Sequence, residues 1–246
     1  MKTTETDLVF SDLHVPFTDS EVWALACGMV RRVKPRAIHL LGDVLDFDQL
    51  SRFLPKSGRA EQLQSDLDEA QRLIGQLQKL SPKSKIVVSE GNHEYRLDKY
   101  LRSRGRELES LRELSVPCLL KLREAGVMWK DRLHPYRVGG LWLTHGSLIR
   151  KHSAYTARAM MEMVGGNVLF GHTHRLGVHH YTTWNTQYVA YENGCMCRTD
   201  LDYLDGVPNW QHGWSVITTV GEKFSVEQVQ VVDRKWYIYR GELYAS

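Results

Sequence analysis

Aspartate, asparagine and histidine recur in this chain as short blocks, each placed directly after an apolar run. Asp12-Leu13-His14 follows Leu8-Val9-Phe10, and Gly42-Asp43-Val44-Leu45-Asp46 follows Ala37-Ile38-His39-Leu40-Leu41. Gly91-Asn92-His93-Glu94 follows Ile86-Val87-Val88, Thr144-His145-Gly146 follows Leu141-Trp142-Leu143, and Gly171-His172-Thr173-His174 follows Val168-Leu169-Phe170. Carboxylate oxygen combined with imidazole nitrogen suits Mn, Fe, Zn, Co or Ni, whereas Mg and Ca favour oxygen alone. The chemistry on offer is that of divalent metal ions.

The apolar runs have the texture of strands buried on both faces. Between them the spacing predicts helices over Ser20 to Val33, behind an Asp19 cap, and over Glu61 to Leu80, where Leu63, Leu67, Ala70, Ile74, Leu77 and Leu80 share one face. Alternation of strand and helix requires crossovers and a largely parallel sheet, whose outgoing loops meet at one edge, the place where ligands bind. All five blocks fall at such strand ends. Residues Glu94 to Val127 read as helical and carry Arg96, Lys99, Arg102, Arg104 and Arg106 near their start, so a basic insertion or cap is expected at about 94–127. A further helix is expected near Ser153 to Val164, and β-branched and aromatic segments from Tyr181 onward predict antiparallel strands. The expected fold class is α/β: one domain over residues 1–246, built as a four-layer α/β/β/α sandwich of mixed sheets.

Composition agrees with a folded domain. In 246 residues, 42% are hydrophobic and 25% charged, which excludes disordered and low-complexity classes. The formal net charge of +3 is too small for a wholly basic nucleic-acid surface, so any basic footprint is local. No apolar run approaches the ~18–20 residues that cross a bilayer, and Met1 to Asp7 is polar rather than leader-like, so no membrane partner and a cytoplasmic location are expected. Four cysteines are too few to staple a chain of this size and read as reduced thiols; Cys195-Met196-Cys197 lacks the second pair of a zinc finger.

The blocks D-x-H, GD-x-x-D, GNH-E, a lone His after a strand and GH-x-H occur in the order found in calcineurin-like metallophosphoesterases, and the chain resembles that family from Asp12 to His174. The resemblance implies two divalent ions, with Mn favoured and Fe, Zn, Co or Ni as further candidates. It gives one ion Asp12, His14, Asp43 and His174, and the other Asp43, Asn92, His145 and His172. Two features of the residues agree: D-x-H and H-x-H put alternate side chains on one face of an extended segment, and the two oxygens of Asp43 allow it to bridge. The implied reaction is hydrolysis of a phosphate ester by a hydroxide held between the ions. His93 is the implied catalytic group at the phosphate and leaving oxygen, and Asp46 the residue that orients it. His39, His134, His179, His180 and His212 read as ordinary core or surface residues.

Substrate contacts are less marked. Phe47 stands where phosphoprotein phosphatases carry an Arg, and Arg96 could face the phosphate instead or form a structural ion pair. Lys151, His152 and Arg158 lie downstream of His145 and are candidates for phosphate contact. The basic stretch after Glu94 favours a polyanion, so DNA, RNA or a nucleotide phosphodiester is the leading substrate and a nuclease or phosphodiesterase the leading activity. A phosphomonoesterase acting on a metabolite or protein is the alternative, and a non-catalytic binding module on the same fold a third reading. Trp210 to Trp214 could stack on a base or pack in the core. Ser51-Arg52-Phe53 and Lys151-His152-Ser153-Ala154 are similar to bacterial and phage-type members of the family, and a homodimer is the expected assembly if the chain follows the nuclease branches.

Overall fold

The structure is a computed structural model that describes residues 3–51, 59, 61–200 and 206–245. Arg52 and Phe53 lie outside the described residues. The chain opens with β1 (Glu5–Phe10), α1 (Ser20–Val33), β2 (Ala37–Leu40), α2 (Leu63–Leu80) and β3 (Lys85–Ser89). It continues through α3 (Tyr95–Arg104), α4 (Val116–Leu119), β4 (Met128–Lys130), β5 (Tyr136–Val138), β6 (Leu141–Thr144), α5 (Tyr155–Val164) and β7 (Val168–Phe170). Six strands follow: β8 (Leu176–Thr182), β9 (Gln187–Asn193), β10 (Gly213–Val220), β11 (Lys223–Gln230), β12 (Trp236–Tyr239) and β13 (Glu242–Ala245).

Two mixed sheets result. The first runs β11-β10-β1-β2-β3-β4, parallel from β1 to β4 and antiparallel on the β10 side. The second runs β5-β6-β7-β9-β8, with β6, β7 and β9 parallel. Alternation along β1 shows why its run is apolar throughout: Leu8 and Phe10 enter a core shared with α1 and α2, while Val9 enters another shared with Leu143 and Leu169 of the second sheet. A third core joins Ala157, Met160 and Met161 of α5 to Val168, Phe170 and Ala190. Three cores separate four layers, helix, sheet, sheet, helix, as the α/β/β/α expectation requires.

Helix α1 begins where expected because Asp19 Oδ1 accepts the backbone N–H groups of Glu21 and Val22, both at 3.1 Å. The stretch from Glu94 to Val127, expected to be helical, is helical in pieces: α3 stops at Gly105, short 3₁₀ turns follow, and α4 is one turn with Pro117 in its first positions. The reason lies in the apolar face, since Leu108 and Leu111 are exposed and only Leu114 of residues 106–115 packs against the core. Leu97, Leu101, Val116, Leu120 and Leu122 join the same core as α1 and α2, so this basic stretch extends the helical layer beside β3 and β4. Among the described residues no helix is long and apolar enough to cross a membrane.

Candidate metal centre

The five blocks leave the ends of β1, β2 and β3 in one sheet and of β6 and β7 in the other, and they meet at one edge of the sandwich. The local backbone corrects one expectation. Asp12, His14, Asp43, His172 and His174 have φ of +55°, +49°, +50°, +69° and +59°, so the D-x-H and H-x-H donors alternate within left-handed turns and not along extended segments. Asp and His tolerate this region better than most residues, and strain of this kind gathers at functional sites. Close packing adds a second constraint. A Cβ on Gly91 would lie 2.1 Å from Asp43 Oδ1, and one on Gly171 2.6 Å from Asp12 Oδ2, so only glycine lets these loops approach the carboxylates.

His14 Nε2 lies 3.0 Å from His174 Nε2 and 3.7 Å from Asp43 Oδ2, and His174 Nε2 lies 3.3 Å from Asp12 Oδ1. Beside this group, His145 Nε2 lies 3.2 Å from Asp43 Oδ2 and 3.0 Å from Asn92 Oδ1, with the His172 ring centroid 5.2 Å from that of His145. Both expected ligand sets are thus brought together, with Asp43 common to the two. Asp12, His14, Asp43, His145 and His174 are buried, and His172 is half-buried.

The hydrogen bonds define what the cluster lacks. Asp46 Oδ2 accepts from His14 Nδ1 at 2.9 Å, and the Leu41 carbonyl accepts from His145 Nδ1 at 2.9 Å. With their protons on Nδ1, both rings turn an Nε2 lone pair toward further acceptors: the Asp43 carboxylate, the Asn92 amide oxygen and the other imidazole. Acceptors crowded face to face in a buried site need positive charge between them, from protons or from metal ions. The residue types fit divalent ions, because neutral imidazole and carboxylate are their ligands and the outward ring nitrogens are already held.

The electrostatics state the same demand. Burial alone would raise Asp43, but the surrounding histidines, His145 foremost, hold it well below the ordinary carboxylate range. Burial would lower His145, yet Asp43 pushes it up to about 10. His172 is driven down to about 4, first by burial and then by the charge of His145. Asp46 is held far below its ordinary value, burial being outweighed by hydrogen bonds from His14 and His93.

His93 stands beside the cluster, its ring centroid 4.4 Å from that of His14. Its Nδ1 donates to the Asp46 carbonyl at 2.8 Å and lies 3.5 Å from the Asp46 carboxylate, so Asp46 holds His93 mainly by its backbone and His14 by its side chain. Arg96 donates to the Asp46 carbonyl at 2.9 Å, lies 3.3 Å from Asp46 Oδ1 and places Nη2 3.2 Å from His93 Nε2. The ion pair with Asp46 and the place beside His93 are therefore properties of one side chain. Lys151 and His152 are exposed, with the His152 ring against Tyr155, and Arg158 pairs with Glu162 on the solvent side of α5. No hydrogen bond or ion pair joins these three to the cluster among the described residues.

Two further residues belong to the site, one with no role assigned from the sequence and one left there between stacking and core. Glu94 is buried and accepts three backbone N–H groups: Gly91 at 2.7 Å, Asp43 at 2.9 Å and Leu45 at 2.9 Å. Burial and the charge of Asp43 push its carboxyl up to about 7. It ties the β2 loop to the β3 loop, and only its position next to His93 hinted at this. Trp210 is the other, its ring centroid 4.2 Å from that of His174, while Trp214 packs in the core against Phe10 and Tyr237. The Trp210 to Trp214 segment is thus divided between site and core.

No family model matches the chain. It is similar to the Gene 54 protein of Mycobacterium phage D29, 29% identical over 247 residues that cover 94% of this chain and 95% of that protein. The Gene 54 protein of Mycobacterium phage L5 is 27% identical over 245 residues, again covering 94% and 95%. Among solved structures, Vps29 of Chaetomium thermophilum is 11% identical with a TM-score of 0.49, covering 98% of each chain. Yfce, a phosphoesterase from E. coli, is 13% identical with a TM-score of 0.42, covering 92% of this chain and 100% of that one. The likeness to the two phage proteins spans nearly the whole chain, and the fold assignment stands on the chain's own two sheets and three cores.

Proposed function

We propose that this chain is a phosphoesterase dependent on two divalent metal ions, with a nucleic acid or nucleotide phosphodiester as its leading substrate. The observation that carries the reading is the face-to-face crowding of acceptors on Asp12, His14, Asp43, Asn92, His145 and His174, which divalent ions would relieve. Asp12, His14, Asp43 and His174 would hold one ion, and Asp43, Asn92, His145 and His172 the other, with Mn the first candidate. Ions bound there supply Lewis acidity to the phosphoryl oxygens and lower the pKa of water at the site.

The chain's own residues do the rest. The Asp46 carbonyl holds His93 Nδ1, and, although burial opposes it, the Asp43 and Asp46 carboxylates favour the imidazolium, whose Nε2 proton would pass to the leaving ester oxygen as the P–O bond breaks. Arg96, beside His93 Nε2, adds positive charge where the phosphate gathers negative charge. Glu94 fixes the two loops that carry Asp43 and Asn92, so that their donors are aimed before substrate arrives. Support for a polyanionic substrate comes from cations on the α3 side of the site: Lys99 and Arg132 lie over the Tyr95 ring at 4.9 and 3.8 Å. Half-buried Trp210 offers an aromatic face at the opposite ligand, His174.

The test is turnover of metal-stripped protein reloaded with Mn, comparing bis-p-nitrophenyl phosphate with p-nitrophenyl phosphate. Preference for the diester, abolished in His93→Ala, is the expected result. Preference for the monoester would replace the nuclease or phosphodiesterase reading with a phosphatase. Metal uptake without turnover of either ester or of DNA and RNA would leave a binding module.

A further inference from the structure

The outward nitrogens of His14, His93 and His145 follow a pattern from which His174 departs. His14 Nδ1 is held by the Asp46 carboxylate, His145 Nδ1 by the Leu41 carbonyl and His93 Nδ1 by the Asp46 carbonyl. His174 turns Nε2 toward Asp12 and His14, and its Nδ1 meets a sulfur instead of an oxygen: Cys197 Sγ, at 3.7 Å. Cys197 is 1% exposed and is fixed from several sides. His212 Nε2 lies 2.7 Å from its carbonyl oxygen, the preceding Met196 donates its N–H to the Asp12 carbonyl at 3.1 Å, and Cys197 forms a bridge with Thr18. The thiol is thus anchored to the loop that carries Asp12 and placed behind the ring of His174.

We infer that Cys197 is a positioning residue of the metal centre, its sulfur accepting the Nδ1 proton of His174 and so presenting the Nε2 lone pair to the ion shared with Asp12 and His14. The inference rests on the proposed metal centre and adds a residue that the sequence pattern does not contain. Partners of this kind fix tautomer and ring orientation, and their loss costs about 10–100-fold in metal affinity. Sulfur accepts a hydrogen bond more weakly than oxygen, so His174 is held less firmly than His14 and His145. Cys195, two residues away and equally buried, touches the Cys197 side chain but has no bond to a site histidine among the described residues, so it controls for packing around the thiol.

The experiment titrates metal-free wild type, Cys197→Ala, Cys197→Ser and Cys195→Ala with Co(II), followed by calorimetry and visible absorption, with the melting point of each metal-free protein recorded. The expected result is that Cys197→Ala weakens one of two Co(II) ions by about 10–100-fold. Cys197→Ser should recover part of that loss, and Cys195→Ala should bind both ions as wild type does. Wild-type affinity for both ions in Cys197→Ala would overturn the inference. Equal losses in Cys197→Ala and Cys195→Ala would overturn it in favour of general packing. An intense thiolate-to-cobalt charge-transfer band in wild type, absent from Cys197→Ser, would overturn it in favour of direct ligation. Wild type that takes up no Co(II) would remove the metal centre itself, a result distinct from the other three.

Discussion

Two clusters of aspartate and histidine are set within the same sandwich, and they differ in how their hydrogen bonds balance. Away from the converging loops, Asp7 on β1 takes both nitrogens of an Arg36 fork and the Ala37 N–H, and His39 Nε2 lies 3.4 Å from its Oδ2. His39 Nδ1 lies 2.9 Å from the Tyr136 hydroxyl, which completes the set. Every acceptor there faces a donor. At the converging loops, the Asp43 and Asn92 oxygens and the Nε2 atoms of His14, His145 and His174 face one another. Residue type does not separate a self-satisfied cluster from one that calls for added positive charge; the count of donors against acceptors does.

That contrast fails first, if it fails, at Asp43. Asp43→Asn removes the one carboxylate common to both ligand groups, and the expected outcome is loss of both ions and at least about a hundredfold loss of turnover. Elemental analysis beside a turnover assay checks it, and two retained ions would show that Asp43 is not their common ligand. His93→Ala should leave the metal content unchanged and lower turnover by about 10²–10⁴-fold, the range of a proton-transfer group.

Smaller effects sharpen the comparison. Glu94→Gln sets an amide donor against backbone N–H groups and should cost about 1–3 kcal/mol of stability, with weakened metal binding, measured by urea unfolding and titration. Asp7→Asn should cost about 2 kcal/mol and leave metal content and turnover intact; the figure lies below that of a fully buried pair because the Arg36 side chain is 40% exposed. Its pH dependence carries a sign. Burial opposes ionisation of Asp7, but His39 and Arg36 prevail and hold its carboxyl below the ordinary value. The folded state therefore binds this proton less readily than the unfolded one. The stabilisation is fully present above about pH 4, the ordinary Asp value, and is lost as pH falls through the depressed one. Stability curves of wild type and Asp7→Asn should converge on acidification, and a gap independent of pH would contradict the assigned ion pair.

Much of this was legible in the residues. Helix α1 matches its expected span because one side chain, Asp19, sets its start, and the strands flanking the blocks were marked by apolar runs buried on both sides. Strands β4 and β5 were not, since Met128-Trp129-Lys130 and Tyr136-Arg137-Val138 each carry a charged residue, unlike the equally short Val168-Leu169-Phe170 of β7. The ligand blocks could be read, but the left-handed turns that aim them could not, because alternate spacing is the same in a strand and in a pair of αL residues. Glu94 and Cys197 escaped for another reason: one acts on backbone groups and the other across 23 positions to His174, and neither leaves a local pattern.

The division of ligands between the sheets has a mechanical consequence. Asp12, His14, Asp43 and Asn92 ride on the first sheet and His145, His172 and His174 on the second, while the layer between them is largely aliphatic and resists sliding only by shape. With ions bound as proposed, the centre would be a rivet through two plates. Slip of one sheet along the other would then strain contacts to both ions at once, so the rate at which metal escapes would become a gauge of shear in the sandwich, readable without any substrate.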